Sequence, residues 1–306
     1  MDEILKLDNI FQYNDMMGQE TLHPLVSVVD FSKCKPMLHS LQRFGFYAVF
    51  LKDVKCGDIR YGRNYYDYQE GTLVFLAPGQ VVGIVNNGEY FQPKGWALLF
   101  HPDLIRGTSL VREMKNYTFF SYESNEALHL SEQERKVMSE QERKVILDCF
   151  HNIESELQHA IDKHSKTLIV NNIELFLNYC VRFYDRQFIT RSHVNKDILT
   201  RFENLLNDYF QSEKPQIIGL PSVQYCADSL HLSPNYFGDL IKKETGNSAQ
   251  EYIQAKLIGV AKDRIFDTSL SVSEIAYSLG FKYPQHFSRL FKQKVGVTPN
   301  EYRMRN

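Results

Sequence analysis

SVQYCADSLHLSPNYFGDLIKKETGNSAQEY (222–252) and SVSEIAYSLGFKYPQHFSRLFKQKVGVTPNEY (271–302) are two copies of one pattern. Ser222 aligns with Ser271, Val223 with Val272, Ala227 with Ala276 and Leu230 with Leu279. One extra residue enters the second copy near Tyr283. Beyond it, Phe237 aligns with Phe287, Leu240 with Leu290, Lys242 with Lys292, Gly246 with Gly296 and Tyr252 with Tyr302. A period of about 50 residues that occurs only twice marks a duplicated module, since stacked repeat folds need three or more units.

Each copy has the grammar of a helix-turn-helix. Ser222 and Ser271 are good N-caps. The residues after them, Val223, Cys226, Ala227 and Leu230 or Val272, Ile275, Ala276 and Leu279, fall on one helical face. His231-Leu232 and Gly280-Phe281 stand at the turn. Ser233 with Pro234 opens a second helix in the first copy. The apolar face of the second helix is Phe237, Leu240 and Ile241, or Phe287, Leu290 and Phe291. Gly246 and Gly296 end these helices, because glycine takes the left-handed conformation without penalty.

The stretch GFKYPQHFSRLFKQKVGVTPNEYR (280–303) resembles the signature of the AraC/XylS family of bacterial transcription regulators, and the resemblance covers roughly the last third of the chain. It implies two helix-turn-helix units joined by one long helix, here 249–266, with Tyr252, Ile253, Ala255, Leu257, Ala261 and Ile265 as its apolar positions. The two recognition helices would enter successive major-groove segments of double-stranded operator DNA, about one helical turn apart. By alignment, base contacts fall to Asn235, Tyr236, Gly238 and Asp239 in the first unit and to Pro284, Gln285, Ser288 and Arg289 in the second. Glutamine can read adenine and arginine guanine with paired hydrogen bonds. Better-known members often carry Gln-Arg where Gly238-Asp239 stand, so Asn235 is expected to matter more than Asp239. Lys242, Lys243, Lys282, Lys292 and Lys294, with the cap hydroxyls Ser222, Ser233 and Ser271, are the phosphate-contact candidates, which position without specifying. The basic run from Lys282 through Arg289, Lys292 and Lys294 to Arg303 and Arg305 meets one acid, Glu301, and suits phosphates. RNA polymerase becomes a partner if the regulator activates.

The 306 residues are enough for two domains, and the net charge of −2 gives no whole-chain reason to bind nucleic acid. Five scattered cysteines form no CxxC or Cys/His cluster. Neither a zinc site nor a disulfide framework is indicated, which fits reduced thiols in a cytoplasmic protein. The sequence shows no signal peptide and no apolar run of membrane-spanning length, so no membrane association is expected.

From 25 to 120 the pattern is short β-rich runs (25–31, 45–52, 71–78, 80–85, 95–100) broken by turn residues, which read as a small sandwich or barrel. AraC-type regulators commonly carry a cupin-like barrel here, and GTLVFLAPGQ (71–80) resembles part of it. A metal cupin needs histidines at alternate strand positions. The corresponding stretch, 57–70, has none, so no metal, cofactor or catalytic centre is expected. Tyrosines crowd it instead. The candidate ligand-binding residues are His23, Tyr47, Tyr61, Tyr66, Tyr68 and Trp96, a set able to line a small-molecule effector pocket. The plainer alternative is that they alternate between core and surface.

From 130 the period becomes helical. SEQERKVM (131–138) is followed by SEQERKVI (139–146), a tandem duplication that lengthens a solvated helix. Helices are expected to about 163 and over 167–188. In the resembling family such helices often form a homodimer. Residues 190–195 read as a linker, and 1–20 as a strand or an arm. The expected architecture is α+β multidomain: a cupin-like β-barrel sensor (1–128), a helical packing or dimerisation segment (129–190) and an all-α double helix-turn-helix domain (195–306). Three readings remain: an effector-controlled regulator, a regulator whose N-terminal part serves assembly alone, and a cupin enzyme fused to a DNA-binding domain.

Overall fold

A computed structural model describes residues 4–52, 56–61, 64–68, 72–83, 88, 90–122, 128–129, 139–190 and 192–304; for 56–61, 64–68, 128–129, 139–141, 187–190 and 192–194 it describes the backbone alone. The chain divides into two compact units, Met1–Ile189 and Thr190–Asn306.

The first unit begins with β1 (Ile4–Leu7) and α1 (Ile10–Met17). It continues with β2 (Val26–Asp30), β3 (Met37–Leu38), β4 (Leu41–Phe44), β5 (Tyr47–Lys52), β6 (Cys56–Tyr61), β7 (Asn64–Tyr68), β8 (Thr72–Leu76), β9 (Val81–Gly83), β10 (Tyr90–Phe91) and β11 (Gly95–Phe100). The short helices α2 (Pro102–Ile105) and α3 (Leu110–Glu113) and the two-residue β12 (Leu128–His129) follow. Then come α4 (Ser139–Gln158) and α5 (Ser165–Thr190). Strands β12-β8-β5-β11-β2 form an antiparallel sheet; β1-β4-β9, β10-β3 and β6-β7 form smaller ones. Among the described residues these are separate sheets, and the ladders do not close into a barrel.

Both faces of the five-stranded sheet are buried. Val29, Ala48, Val74, Leu76, Ala97 and Leu99 share one core with Leu7, Phe44 and Phe46 and with Ile10, Tyr13 and Met17 of α1. The stretch expected as strand or arm holds both the strand β1 (Ile4–Leu7) and a core helix, α1. Its start was encoded locally: Asn9 accepts from the Gln12 amide while Gln12 accepts from the Asn9 amide, a reciprocal cap, and Gly18 ends it at φ 69°. On the opposite face Tyr47, Phe75, Trp96 and Phe100 meet the helical layer. Phe75 lies 4.4 Å from Phe119 and 6.4 Å from Phe176 of α5, and Trp96 sits edge-on to His151 of α4 at 5.1 Å. The α4–α5 hairpin is tied by Arg186, whose two terminal nitrogens donate to Glu142 at 2.6 and 2.8 Å.

The boundaries of this hairpin differ from expectation. α4 ends at Gln158, not near 163, because Asp162 instead accepts the His164 and Ser165 amides at the threshold of α5. The first repeat of the tandem duplication, 131–138, lies outside the described residues. Of the expected linker, 190–195, Thr190 ends α5 and 192–195 open α6 (Ser192–Gln211), and the stretch has no glycine or proline.

The second unit continues with α7 (Lys214–Ile218), α8 (Val223–Ser229), α9 (Pro234–Thr245), α10 (Ala249–Ile265), α11 (Val272–Ser278), α12 (Pro284–Val295) and α13 (Pro299–Met304). α8–α9 and α11–α12 are the two helix-turn-helices and α10 joins them. Phe202 and Phe237 meet edge-on at 4.9 Å in the first half, and Phe281, Phe287 and Phe291 cluster in the second. Along α10, Ile253, Leu257, Ile258, Ala261 and Ile265 are buried, whereas Ala255, read as apolar face, is exposed. Reciprocal caps start α10 (Ser248, Glu251) and α11 (Ser271, Glu274). The serine contacts hold both carboxyls below their usual range. The contribution of these caps is therefore full at neutral pH and fades as pH falls through the depressed values.

Candidate nucleic-acid interface

Each recognition helix is held by what it buries. In α9, Phe237, Leu240 and Ile241 are buried; in α12, Phe287 and Phe291 are, while Leu290 is half-buried. A helix fixed on that side must present the residues about half a turn away to solvent. On α12 these are Gln285, His286, Arg289, Lys292 and Gln293, all exposed, with Pro284 and Ser288 at the margin. On α9 they are Asn235, Lys242 and Lys243, with Gly238 and Asp239 half-buried. Lys282 and Lys294 are exposed as well. The second helix-turn-helix thus offers amide and guanidinium groups over a cationic end, and the first an amide and a carboxylate over the cationic end of Lys242 and Lys243.

Two expected contacts are overturned. Tyr236 is 5 % exposed and Ser233 is 3 % exposed. Both belong to the packing of α9: the Ser233 hydroxyl accepts from the Tyr236 amide at 3.3 Å as N-cap, inside the unit rather than on its surface. Ser222 and Ser271 are exposed, and each hydroxyl accepts a helix-start amide, from Tyr225 at 3.0 Å and from Glu274 at 3.2 Å. Arg303 leaves the basic patch. Its guanidinium donates to the carbonyls of Ile265 at 2.7 Å and Leu270 at 2.9 Å, pinning α13 to the end of α10. Arg305 lies outside the described residues.

Two features were missed. His286 occupies in α12 the place of Tyr236 in α9, and it is exposed, with Tyr283 edge-on at 5.5 Å. The alignment of the copies already paired the two positions. Glu251, at the start of α10, is lowered first by its Ser248 hydrogen bonds and further by the charges of Lys294 and Lys242. One carboxylate therefore draws on a lysine from each recognition helix.

The turns also differ. Leu232 and Phe281 close them with equivalent hydrogen bonds, to the Ala227 and Ala276 carbonyls at 3.0 Å each. The residue before is Gly280 at φ 96° in the second copy but His231 at φ 59° in the first. A side chain in that conformation costs about 1–2 kcal/mol. His231→Gly is therefore expected to stabilise the C-terminal unit by about 1 kcal/mol after the greater chain entropy of glycine is deducted, and so to raise its thermal midpoint. A melt followed by helical circular dichroism checks it; an unchanged or lower midpoint refutes it.

Of the six ligand-binding candidates, the described side chains are those of His23, Tyr47 and Trp96. Tyr47 stacks on Phe100 at 5.0 Å and Trp96 meets α4, both on the helix-covered face of the five-stranded sheet. The half-buried His23 accepts the Leu25 amide in a local turn, and burial lowers its pKa. The side chains of Tyr61, Tyr66 and Tyr68 lie outside the described residues. The core on the other face is filled by aromatic rings: Tyr13 lies 5.9 Å from Phe44, 6.3 Å from Phe46 and 6.5 Å from Phe50. Among the described residues no cluster of His, Cys, Asp or Glu has the makings of a metal site, and no helix is long and apolar enough to cross a membrane.

Residues 226–305 match the helix-turn-helix domain family. This domain is of the AraC type. The chain is similar to three regulators from Bacillus subtilis (strain 168). It is 33% identical over 108 residues to the uncharacterized HTH-type transcriptional regulator YtdP, covering 35% of this chain and 13% of that one. It is 40% identical over 78 residues to the uncharacterized transcriptional regulatory protein YesN, covering 25% and 21%. It is 31% identical over 151 residues to the uncharacterized HTH-type transcriptional regulator YfiF, covering 49% and 42%. The chain thus spans less than half the length of each of these relatives. Among solved structures, the C-terminal domain of AraT, a response regulator from Geobacillus stearothermophilus, is 28% identical with a TM-score of 0.32, covering 36% of this chain and 85% of that one. The matched residues, 226–305, include both exposed helix faces, on α9 and α12.

Proposed function

We propose that the chain is a sequence-specific DNA-binding transcription regulator. The supporting observation is the exposed face of α12, where Gln285 and Arg289 stand one turn apart above Lys292, on a helix clamped by Phe287 and Phe291. Gln285 and Arg289 are the base readers of the second unit and Asn235 of the first. Lys242, Lys243, Lys282, Lys292 and Lys294 contact phosphate. The tests are a selection from randomised duplexes with the full chain and a salt-controlled anisotropy titration on the enriched sequence. Arg289→Ala is expected to cost about 1–3 kcal/mol and to relax one base position, whereas Lys292→Ala weakens all sequences alike and lowers the salt slope by about 1. Equal binding of parent and Arg289→Ala would refute the assignment of Arg289.

The first unit is proposed as the assembly part of a homodimer. Leu168 and Leu175, 48 % and 47 % exposed and two turns apart on α5, are apolar side chains available to a second copy. Control by a small effector in a cupin-like barrel is the alternative. The ring-filled core around Tyr13 favours the assembly reading, and thermal shift of the full chain against small metabolites separates the two, since a ligand of the folded state raises the midpoint with concentration.

A further inference from the structure

The second helix-turn-helix is tied to α6 and α7, the helices that precede the first, and α6 in turn packs Phe202 on Phe237 of α9. Gly280, in the turn between α11 and α12, lies against Gly219, which ends α7 just before the first helix-turn-helix begins. A β-carbon on Gly280 would stand 2.7 Å from the Gly219 carbonyl carbon, 2.8 Å from its oxygen and 2.9 Å from the Pro215 oxygen, so nothing larger than glycine fits without moving backbone. The same Gly219 oxygen accepts from the Tyr209 hydroxyl of α6 at 2.9 Å. Beside this contact Arg264, near the end of α10, donates through Nη1 to the Ser278 hydroxyl at 2.9 Å and the Ser278 carbonyl at 3.2 Å. Its Nη2 donates to the Phe210 carbonyl at the end of α6. One planar guanidinium therefore ties α6, α10 and α11, a geometry that lysine cannot copy.

We propose that the Gly219–Gly280 contact and Arg264 form a lock that sets the distance between the two recognition helices, so that the protein accepts one spacing of half-sites. Arg264 and Gly280 are positioning residues in this lock and touch no base. Without it α9 and α12 would be related by α10 alone, and bending of one helix would let the second reader follow a shifted half-site. The inference rests on the DNA-binding reading.

The test uses full-length protein. A randomised duplex selection defines the two-part sequence bound by the parent, and duplexes are then made with one base pair inserted or removed between the parts. The parent is expected to lose at least about 100-fold in affinity on either change, as when one reader forfeits its base contacts. In Arg264→Gln and Gly280→Ala the loss shrinks below about 10-fold, whatever happens to affinity on the unaltered sequence. Gly296→Ala is the control for strain alone, being also at positive φ (89°) but with open space around the added carbon. It retains the penalty of the parent. Arg264→Gln keeps the question answerable if Gly280→Ala does not fold. A parent that tolerates the shifted spacing, or an Arg264→Gln protein that keeps the full penalty, overturns the lock and leaves DNA binding standing. A parent that enriches no sequence overturns the DNA-binding reading and the lock with it.

Discussion

Phe287→Ala will lower the stability of the C-terminal unit by about 3–5 kcal/mol, the usual cost of emptying a fully packed aromatic site. Phe287 has no exposed surface, and its ring lies 5.4 Å from Phe281 and 5.7 Å from Phe291. Those two rings come from either side of it in sequence, one at the turn and one a helical turn onward. Loss of the ring therefore frees α12 from the turn that aims it, as well as creating a void. DNA binding should fail at temperatures where the parent still binds. Leu290→Ala, at a half-buried position of the same helix, should cost less than half as much. Paired thermal melts of the two variants decide the point, and equal losses would mean that burial of Phe287 does not hold the helix.

Tyr13→Ala will have an effect of similar size on the other unit, again about 3–5 kcal/mol. Tyr13 is 1 % exposed and its ring is surrounded by Phe44, Phe46 and Phe50. Burial pushes its hydroxyl pKa far up, so it is un-ionised at neutral pH. The void left by alanine would be walled by aromatic rings, and such voids take up small apolar molecules. Benzene should restore part of the lost midpoint in Tyr13→Ala and do nothing for the parent. Tyr13→Phe, which keeps every ring contact, isolates the hydroxyl. A small loss in Tyr13→Ala, or a parent that responds to benzene as strongly, would show that α1 is not an essential part of this core.

The helix-turn-helix half was legible because its signals are local. Caps at Ser222, Ser233 and Ser271, glycines at 246 and 296 and apolar residues at helical spacing each act within a turn of themselves. The β-rich half was legible as strands but not as faces. Every residue of β8 is buried and nearly all of β11, so alternation marks two faces without saying which looks inward. Tyr47 and Trp96 were placed in a pocket on residue type, and the parity that put them beneath helices depends on a partner layer far away in sequence. The α1 helix was missed for a different reason: the Asn9–Gln12 cap and Gly18 announced it, but polar residues between its apolar positions masked the period. Tyr236 failed because a core position in one copy had become a surface position in the other.

That last difference means the twin halves are no longer interchangeable parts. Grafting 284–295 into the first slot would push the His286 imidazole into the buried space shaped by Tyr236, and taking a polar ring out of water costs free energy that the exposed position does not ask for. The reverse graft would merely set a tyrosine in water. Chimaeras should therefore be stabler in the second direction than in the first, since one copy uses this position for packing and the other leaves it at the surface.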